Sequence, residues 1–164
     1  MTKKPGLHPL PLLRCPCSVD GGDEAKCYAD CCGRYIDNRE AVPTAEALMR
    51  SRYTAYTLSR EDYLLITWHR STRPHSLDLP NAPSRQWLGL KVRRHEQRGP
   101  DEATVEFVAR YKVGGRAHRL REISQFLREA GRWFYVTGDI LVAENTSIAE
   151  HAQCSPLRIR PDLI

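Results

Sequence analysis

The chain has 164 residues, 41% of them hydrophobic and 27% charged, with a formal net charge of +5. This is the make-up of a soluble globular protein with room for one ordinary domain and a small appendage. It excludes a disordered polyelectrolyte, and no run approaches the roughly 18 apolar residues that a membrane-spanning helix needs.

The opening MTKKPGLHPLPLLRC begins basic, but Pro9 and Pro11 break its apolar stretch, so it lacks the continuous core of a signal peptide. Residues 1–14 therefore read as a flexible N-terminus and the protein as cytoplasmic, a compartment where stable disulfides are rare. Next comes CPCSVDGGDEAKCYADCCG, which packs five of the six cysteines into residues 15–33. Zinc is held tetrahedrally, often by four thiolates, and a segment this small buries too little apolar surface to fold by packing. Pro16 stiffens the turn between Cys15 and Cys17. SVDGG is a turn, Asp23 a helix cap, and EAKCYADCC a short helix closed by Gly33. A disulfide between the adjacent Cys31 and Cys32 would be strained, and the spacing is not that of a thioredoxin-like CxxC. The segment thus reads as a structural zinc site. The residues alone leave open which four thiols bind, because Cys27 and Cys31 would share one helical face.

RYIDNREAVPT reads as a polar linker over residues 35–43 that ends at a helix cap, Thr44. In AEALMRSRYTAYTL, Ala45, Leu48, Met49, Arg52 and Tyr56 recur at helical spacing, and Glu46 with Arg50 forms an i,i+4 pair. SREDYLLITWH gives a second short helix capped at Ser59, and Pro74, Pro80 and Pro83 then break the chain into a loop. The period changes to two in strands over 86–97, 103–113, 117–129 and 133–142. In the second of these, Val105, Phe107, Ala109 and Tyr111 share one face. Two helices followed by an antiparallel meander predict an α+β domain over 44–142, with a curved sheet wrapped on the helices. The tail, 143–164, shows no sustained period and is expected to be poorly ordered. Arginines concentrate at KVRRHEQR and GRAHRLR, which read most simply as solvated strand faces.

The spacing CPC…YADCCG resembles the SEC-C zinc motif known from the C-terminus of the SecA translocase. That resemblance implies Cys15, Cys17, Cys31 and Cys32 as ligands within a 15–34 zinc knuckle, Tyr28 as the motif aromatic, and Cys27 as a spectator. The longer SVDGGDEA stands where the usual pattern has GSG. The order of LMRSRYTAY, YLLITWH, WLGL, FVARY and WFYVTGD resembles the YchJ-like family of small bacterial proteins, over roughly residues 15–140. This family joins a SEC-C motif to an NTF2-like (cystatin-like) cone. A second SEC-C motif, present at the C-terminus of some members, is missing, since Cys154 stands alone in the tail.

Cones of this kind often enclose a pocket and often dimerise through the sheet. The candidate lining is Tyr53, Tyr56, Trp68, His69, Trp87, Tyr111, Glu122 and Ser124, together with Trp133, Tyr135 and Asp139; aromatic stripes also commonly just fill a core. The leading functional reading is a zinc-binding docking module for protein or ribosome, whose cone can hold a small molecule. Lys3, Lys4, Arg14, Lys26, Arg34 and Arg39 would favour an acidic partner or RNA. The alternative is an NTF2-like enzyme of isomerase, dehydratase or hydrolase type, using His69 with Glu122 or Asp139. No nucleophile elbow, phosphate loop or dinucleotide fingerprint is present.

Overall fold

The structure is a computed structural model that describes residues 14–18, 26–79 and 85–141. The expectations for the N-terminus, the SVDGG turn, Pro80, Pro83, Cys154 and the tail lie outside these residues. Three helices, α1 (Gly33–Ile36), α2 (Ala45–Thr57) and α3 (Glu61–Ile66), precede four strands. The strands β1 (Gln86–Gln97), β2 (Glu102–Val113), β3 (Arg116–Glu129) and β4 (Arg132–Ile140) form one antiparallel meander in the order β1-β2-β3-β4. Among the described residues no helix is long and apolar enough to cross a membrane.

α2 is the axis of the molecule. It starts where expected, because Thr44 is extended and its hydroxyl accepts a hydrogen bond from the Ala47 amide at 3.1 Å. Its sheet-facing stripe of Ala45, Leu48, Met49, Arg52, Tyr53 and Tyr56 is buried, but so are Ser51, Thr54 and Ala55 on its other sides. A helix buried nearly all round must be wrapped, and the sheet, α3 and the cysteine segment each take part of its circumference. The expected Glu46–Arg50 pair forms at 2.8 Å.

Three boundaries differ from expectation. Cys27 lies in a β-bridge with Arg14 and residues 28–32 form turns, so Gly33 opens α1 instead of closing a helix. The Gly33 amide donates to the Tyr28 carbonyl at 2.8 Å, and a Cβ there would stand 2.8 Å from that same oxygen. The glycine is set by this close approach. The supposed linker is docked at its start, since α1 anchors it through Ile36, which is fully buried. Finally, Ser59 does not cap α3. It sits at φ 54°, in the left-handed region, and the helix begins after Arg60 with no side-chain cap.

Irregularities between Trp87 and Gly89, Val92 and Arg94, and Gln125 and Phe126 bend the sheet around α2. The glycine pair Gly114–Gly115, with φ 55° and 79°, makes the tight β2–β3 turn. The concave face carries Val105, Phe107, Ala109, Phe126, Trp133 and Tyr135, all buried. α3 is tied to β4 across the cone: the His69 amide donates to the Tyr135 carbonyl at 2.7 Å, and the Tyr135 amide donates to Thr67 at 2.9 Å. These two bonds place Trp68 and His69 against the last strand.

Candidate metal centre and the buried polar core

The cysteine segment is built from two short pieces. Pro16–Ser18 makes one 3-10 turn, which brings Cys15 and Cys17 to the same side. The Tyr28–Cys32 turns bring Cys31 and Cys32 to meet them, and the bridge between Arg14 and Cys27 closes the two pieces together. Cys17 lies at the centre, with its sulfur 3.5 Å from Cys15 and 3.6 Å from both Cys31 and Cys32; Cys31 and Cys32 are 4.0 Å apart. All four sulfurs lie within 4.8 Å of one another, and the described cysteines are free thiols. Cys27 faces its bridge with Arg14 and is not part of the cluster. Four sulfurs at about 2.3 Å from a central ion, in tetrahedral array, would be roughly 3.8 Å apart, so the observed spacing fits a metal ion.

Charge makes the same point. Hydrogen bonds from Cys17 and Cys32 hold the Cys15 thiol far below its ordinary value, to about 2. The hydrogen bond to Cys15 in turn pushes Cys17 up to about 12, and Cys32 is driven up by its bonds to Cys15, Cys17 and Cys31. Four thiolates, three of them buried, cannot share this volume unless a cation neutralises them. The cluster is seated on the helix, with Cys15 Sγ 3.8 Å from Thr54 Oγ1 and the Cys17 carbonyl 3.5 Å from the Arg50 guanidinium.

The second group lies in the cone. Arg52 is 2% exposed; it donates to the Leu64 carbonyl at 2.7 Å and to the Thr67 hydroxyl at 2.9 Å. Its guanidinium lies over the Trp68 ring at 5.0 Å and the Tyr135 ring at 4.5 Å. Glu122, also 2% exposed, accepts a hydrogen bond from Ser124 at 2.6 Å. Burial raises its carboxyl to about 7, against the opposing pull of the Ser124 bond and the Arg52 charge. Gly138 makes room for it, since a Cβ there would lie 1.9 Å from Glu122 Oε1. Desolvation lowers the Arg52 pKa and raises that of Tyr135.

The nominated pocket residues fall into two aromatic sets plus this polar group. Tyr53, Tyr56 and Tyr111 all contact Trp87, at ring separations of 5.4, 6.4 and 5.5 Å. Trp68 meets Tyr135 edge-on at 4.9 Å, while Trp133 donates to the Pro43 carbonyl. The expected pairing of His69 with Glu122 or Asp139 does not form. Its ring contacts Ser71 at 2.6 Å and Glu129 at 3.1 Å, because the backbone bonds to Tyr135 carry it past the cone toward the β3–β4 turn. Asp139 is exposed, opposite Ile123 on the outer face. Sequence reasoning missed Arg52 as a buried polar centre, although its place in the apolar stripe of α2 was the available signal. It missed Gly138 and Glu129 as well, and nothing in the local pattern marked either.

Comparison with known proteins agrees with this architecture. The profile of the YchJ middle NTF2-like domain matches residues 44–138. The chain belongs to this family. Among curated relatives, the UPF0225 protein of Methylibium petroleiphilum is 52% identical over 132 residues, covering 80% of this chain and 90% of its own. The UPF0225 protein of Chromobacterium violaceum is 56% identical over 128 residues, covering 76% and 90%. A solution structure of a SEC-C motif containing protein from Rhodopseudomonas palustris superimposes with a TM-score of 0.68 at 33% identity. It covers 79% of this chain and all of its own. A crystal structure of a SEC-C motif containing protein from Psychrobacter arcticus gives 0.66 at 26% identity, covering 86% and 88%. The YchJ family thus accounts for the NTF2-like fold, and its solved relatives share the SEC-C motif.

Proposed function

We propose that Cys15, Cys17, Cys31 and Cys32 hold one zinc ion, and that the loaded knuckle makes this YchJ family member a docking module for an acidic protein surface, on or off the ribosome. The observation that carries the metal is the set of sulfur separations, 3.5–4.0 Å for four of the pairs and within 4.8 Å for all, in a largely buried, all-thiol cluster. Thiolates select soft or borderline ions, and four of them with no open position are the ligand set of structural zinc. The ion would join the knuckle to α2 and leave the outward side of the knuckle for a partner. On that side Arg34 is taken by Glu40 at 2.7 Å and Arg39 by Asp62 at 2.5 Å. Arg14 and Lys26 remain exposed, which favours a local acidic patch over an extended phosphate backbone.

A second reading keeps the cone as a small-molecule site. Its support is the convergence of Arg52, Glu122, Ser124 and Tyr135 in apolar surroundings. The protonated Glu122 carboxyl would there be the hydrogen-bond donor.

Native and denatured mass spectra of the protein purified under reducing conditions test both readings and give the oligomeric state. One zinc that is lost on denaturation, kept in Cys27→Ser and absent in Cys17→Ser supports the metal site. A folded, metal-free protein overturns it. An additional organic mass supports the cone site. For docking, co-sedimentation with ribosomes that weakens with salt and fails in Lys26→Glu is the expected result; sedimentation indifferent to that substitution removes the knuckle as the contact.

A further inference from the structure

The ring of His69 joins two groups that the cone does not use. Its Nδ1 lies 2.6 Å from the Ser71 hydroxyl, and its Nε2 lies 3.1 Å from the Glu129 carboxylate. The backbone decides which nitrogen carries the proton. The Ser71 amide also points at Nδ1, at 3.3 Å, and an amide N–H can only donate. By this hydrogen-bond pattern Nδ1 holds the lone pair and the ring proton sits on Nε2, facing Glu129. The Ser71 hydroxyl therefore donates to a base. Hydroxyl, imidazole and carboxylate in that order form the arrangement that activates a serine nucleophile, whatever fold carries it.

Each member is placed by a different part of the chain. The His69 amide is fixed to β4 by the Tyr135 carbonyl, and the His69 carbonyl accepts from the Thr72 and Arg73 amides at 3.1 and 3.0 Å. That tight turn sets Ser71 beside the ring. Thr72 secures it by donating its hydroxyl to the Val136 carbonyl at 2.5 Å. Glu129 ends β3, just before the Ala130–Gly131 turn. Its carboxyl is held below the ordinary range, chiefly by the His69 hydrogen bond.

A loop staple is the plain explanation for such a ring. The turn is already held by its backbone bonds and by Thr72, however, and pairings with exposed groups such as Ser71 and Glu129 add little. The exposure suits chemistry better. His69 is 8% exposed, a sheltered base, while the Ser71 nucleophile faces solvent.

A receiving surface lies alongside. On the outer face of the sheet, an open hollow of about 490 Å³ is lined in part by Thr104, Ile123, Gln125, Leu127 and Val136. It reaches the His69 site twice. Val136 carries the carbonyl that holds Thr72, and Leu127 pairs with Phe134, whose ring meets His69 at 6.3 Å. Ile123, Leu127 and Val136 give it an apolar floor suited to a short hydrocarbon chain.

We propose that Ser71, His69 and Glu129 form a serine hydrolase site for esters of short apolar carboxylic acids, the acyl chain lying in the outer hollow of the sheet. Ser71 Oγ bonds to the acyl carbon as the ester C–O bond breaks. Its proton passes to His69 Nδ1 and from there to the departing alcohol. The same nitrogen then takes a proton from water, whose oxygen displaces Ser71; the free acid leaves and the proton returns to Oγ. Arg70, mostly exposed and 3.9 Å from the Glu129 carboxylate, is the neighbouring cation for the charge that develops on the carbonyl oxygen. Glu129 is a positioning residue that holds the ring tautomer. The site stands apart from the knuckle and from the buried Arg52–Glu122 group, and it does not depend on zinc.

The full chain treated with p-nitrophenyl butyrate and, separately, with a fluorophosphonate, then mapped by peptide mass spectrometry, tests this. One butyryl or one phosphonyl group on Ser71 is expected, with p-nitrophenolate released above background. Ser71→Ala, at an exposed position, should melt as the parent does and lose both labels. His69→Gln should slow acylation about 10²–10⁴-fold. Glu129→Gln should slow acylation at saturating ester and leave the half-saturating concentration unchanged, a split that simple loosening of the loop does not produce. Labels on a cysteine or lysine in place of Ser71 overturn the proposal. So does an unlabelled protein, or a Ser71 labelled as fast in His69→Gln as in the parent.

Discussion

The knuckle and the cone solve the same problem, the burial of polar groups, in opposite ways. In the knuckle four thiols converge with mainly one another for partners, beside the Thr54 and Ser18 hydroxyls, and their mutual hydrogen bonds drive Cys15 down and Cys17 up. That arrangement suits a cation from outside. The cone supplies its own compensation: Arg52 is satisfied by Leu64, Thr67 and two aromatic faces, and Glu122 by Ser124. Apolar packing of Leu48, Met49, Leu64, Phe107 and Phe126 surrounds them, each such side chain contributing about 1.5–3 kcal/mol. One region is specified by chemistry at a point and the other by shape over a surface, so they should fail differently.

The largest effect belongs to the metal. Apparent binding free energies of structural zinc modules are about 10–16 kcal/mol, and a preformed site rarely exists without the ion. A strong chelator should therefore unfold the knuckle, and hydrogen exchange should show amides of residues 26–36 losing protection while those of β2 and β3 keep theirs. Equal loss in both regions would mean that the knuckle and cone are one cooperative unit. In the cone, Arg52→Met should come next. Removing one member of a buried charged network typically costs about 3–5 kcal/mol, because the remaining groups stay buried without partners. Denaturant unfolding measures this, and a loss below about 1 kcal/mol would show that Arg52 is held by packing alone.

Glu122 gives the cone a pH dependence of definite sign. Its carboxyl titrates near 7 in the folded protein against an ordinary 4.5, so the folded state keeps a proton that the unfolded chain has released. Stability should fall as pH rises from about 4.5 to about 7 and level off above, by a total of roughly 3 kcal/mol. Glu122→Gln should flatten that limb. A wild-type stability that instead rises over this range would contradict the buried, protonated carboxyl.

How much of this was legible in the sequence follows from the same contrast. The cysteine cluster was legible because its members are local: Cys15, Cys17, Cys31 and Cys32 lie within eighteen residues and need only turns to meet, although the spacing alone left Cys27 as an alternative and the choice of four came from the SEC-C resemblance. The strands were legible for a similar reason, since alternation such as Val105, Phe107, Ala109 is a property of neighbours. What escaped was set across the fold. Gly33 looked like a helix end because glycine usually is one, yet it is required by the approach of Tyr28. His69 missed Glu122 because two backbone bonds to Tyr135 redirect it toward Glu129. Ser59 has the right chemistry for a cap, but its left-handed φ turns the chain instead.

Two glycines, one in each region, carry the comparison to its smallest scale. At Gly138 an added methyl would fall 1.9 Å from Glu122 Oε1, 2.4 Å from its Cδ and 2.9 Å from its Cγ. The carboxyl would have to leave its place beside Ser124, so Gly138→Ala should cost about 1–3 kcal/mol as overpacking does. It should also shift the pH limb described above, because the group that titrates is the one displaced. At Gly33 the obstacle is the Tyr28 carbonyl oxygen at 2.8 Å, part of the turn that leads into Cys31 and Cys32. Here the obstacle is backbone and cannot swing aside, so the turn itself must shift, at a cost that exceeds the about 1 kcal/mol that alanine gains over glycine in a helix. The net loss of unfolding free energy should be about 1–3 kcal/mol, as overpacking gives, and the pH limb should not move. If the wild-type protein carries the proposed zinc, a Gly33→Ala protein that lost it would show that the ligand geometry tolerates no such shift, and that the knuckle, despite its small size, is the more tightly specified region.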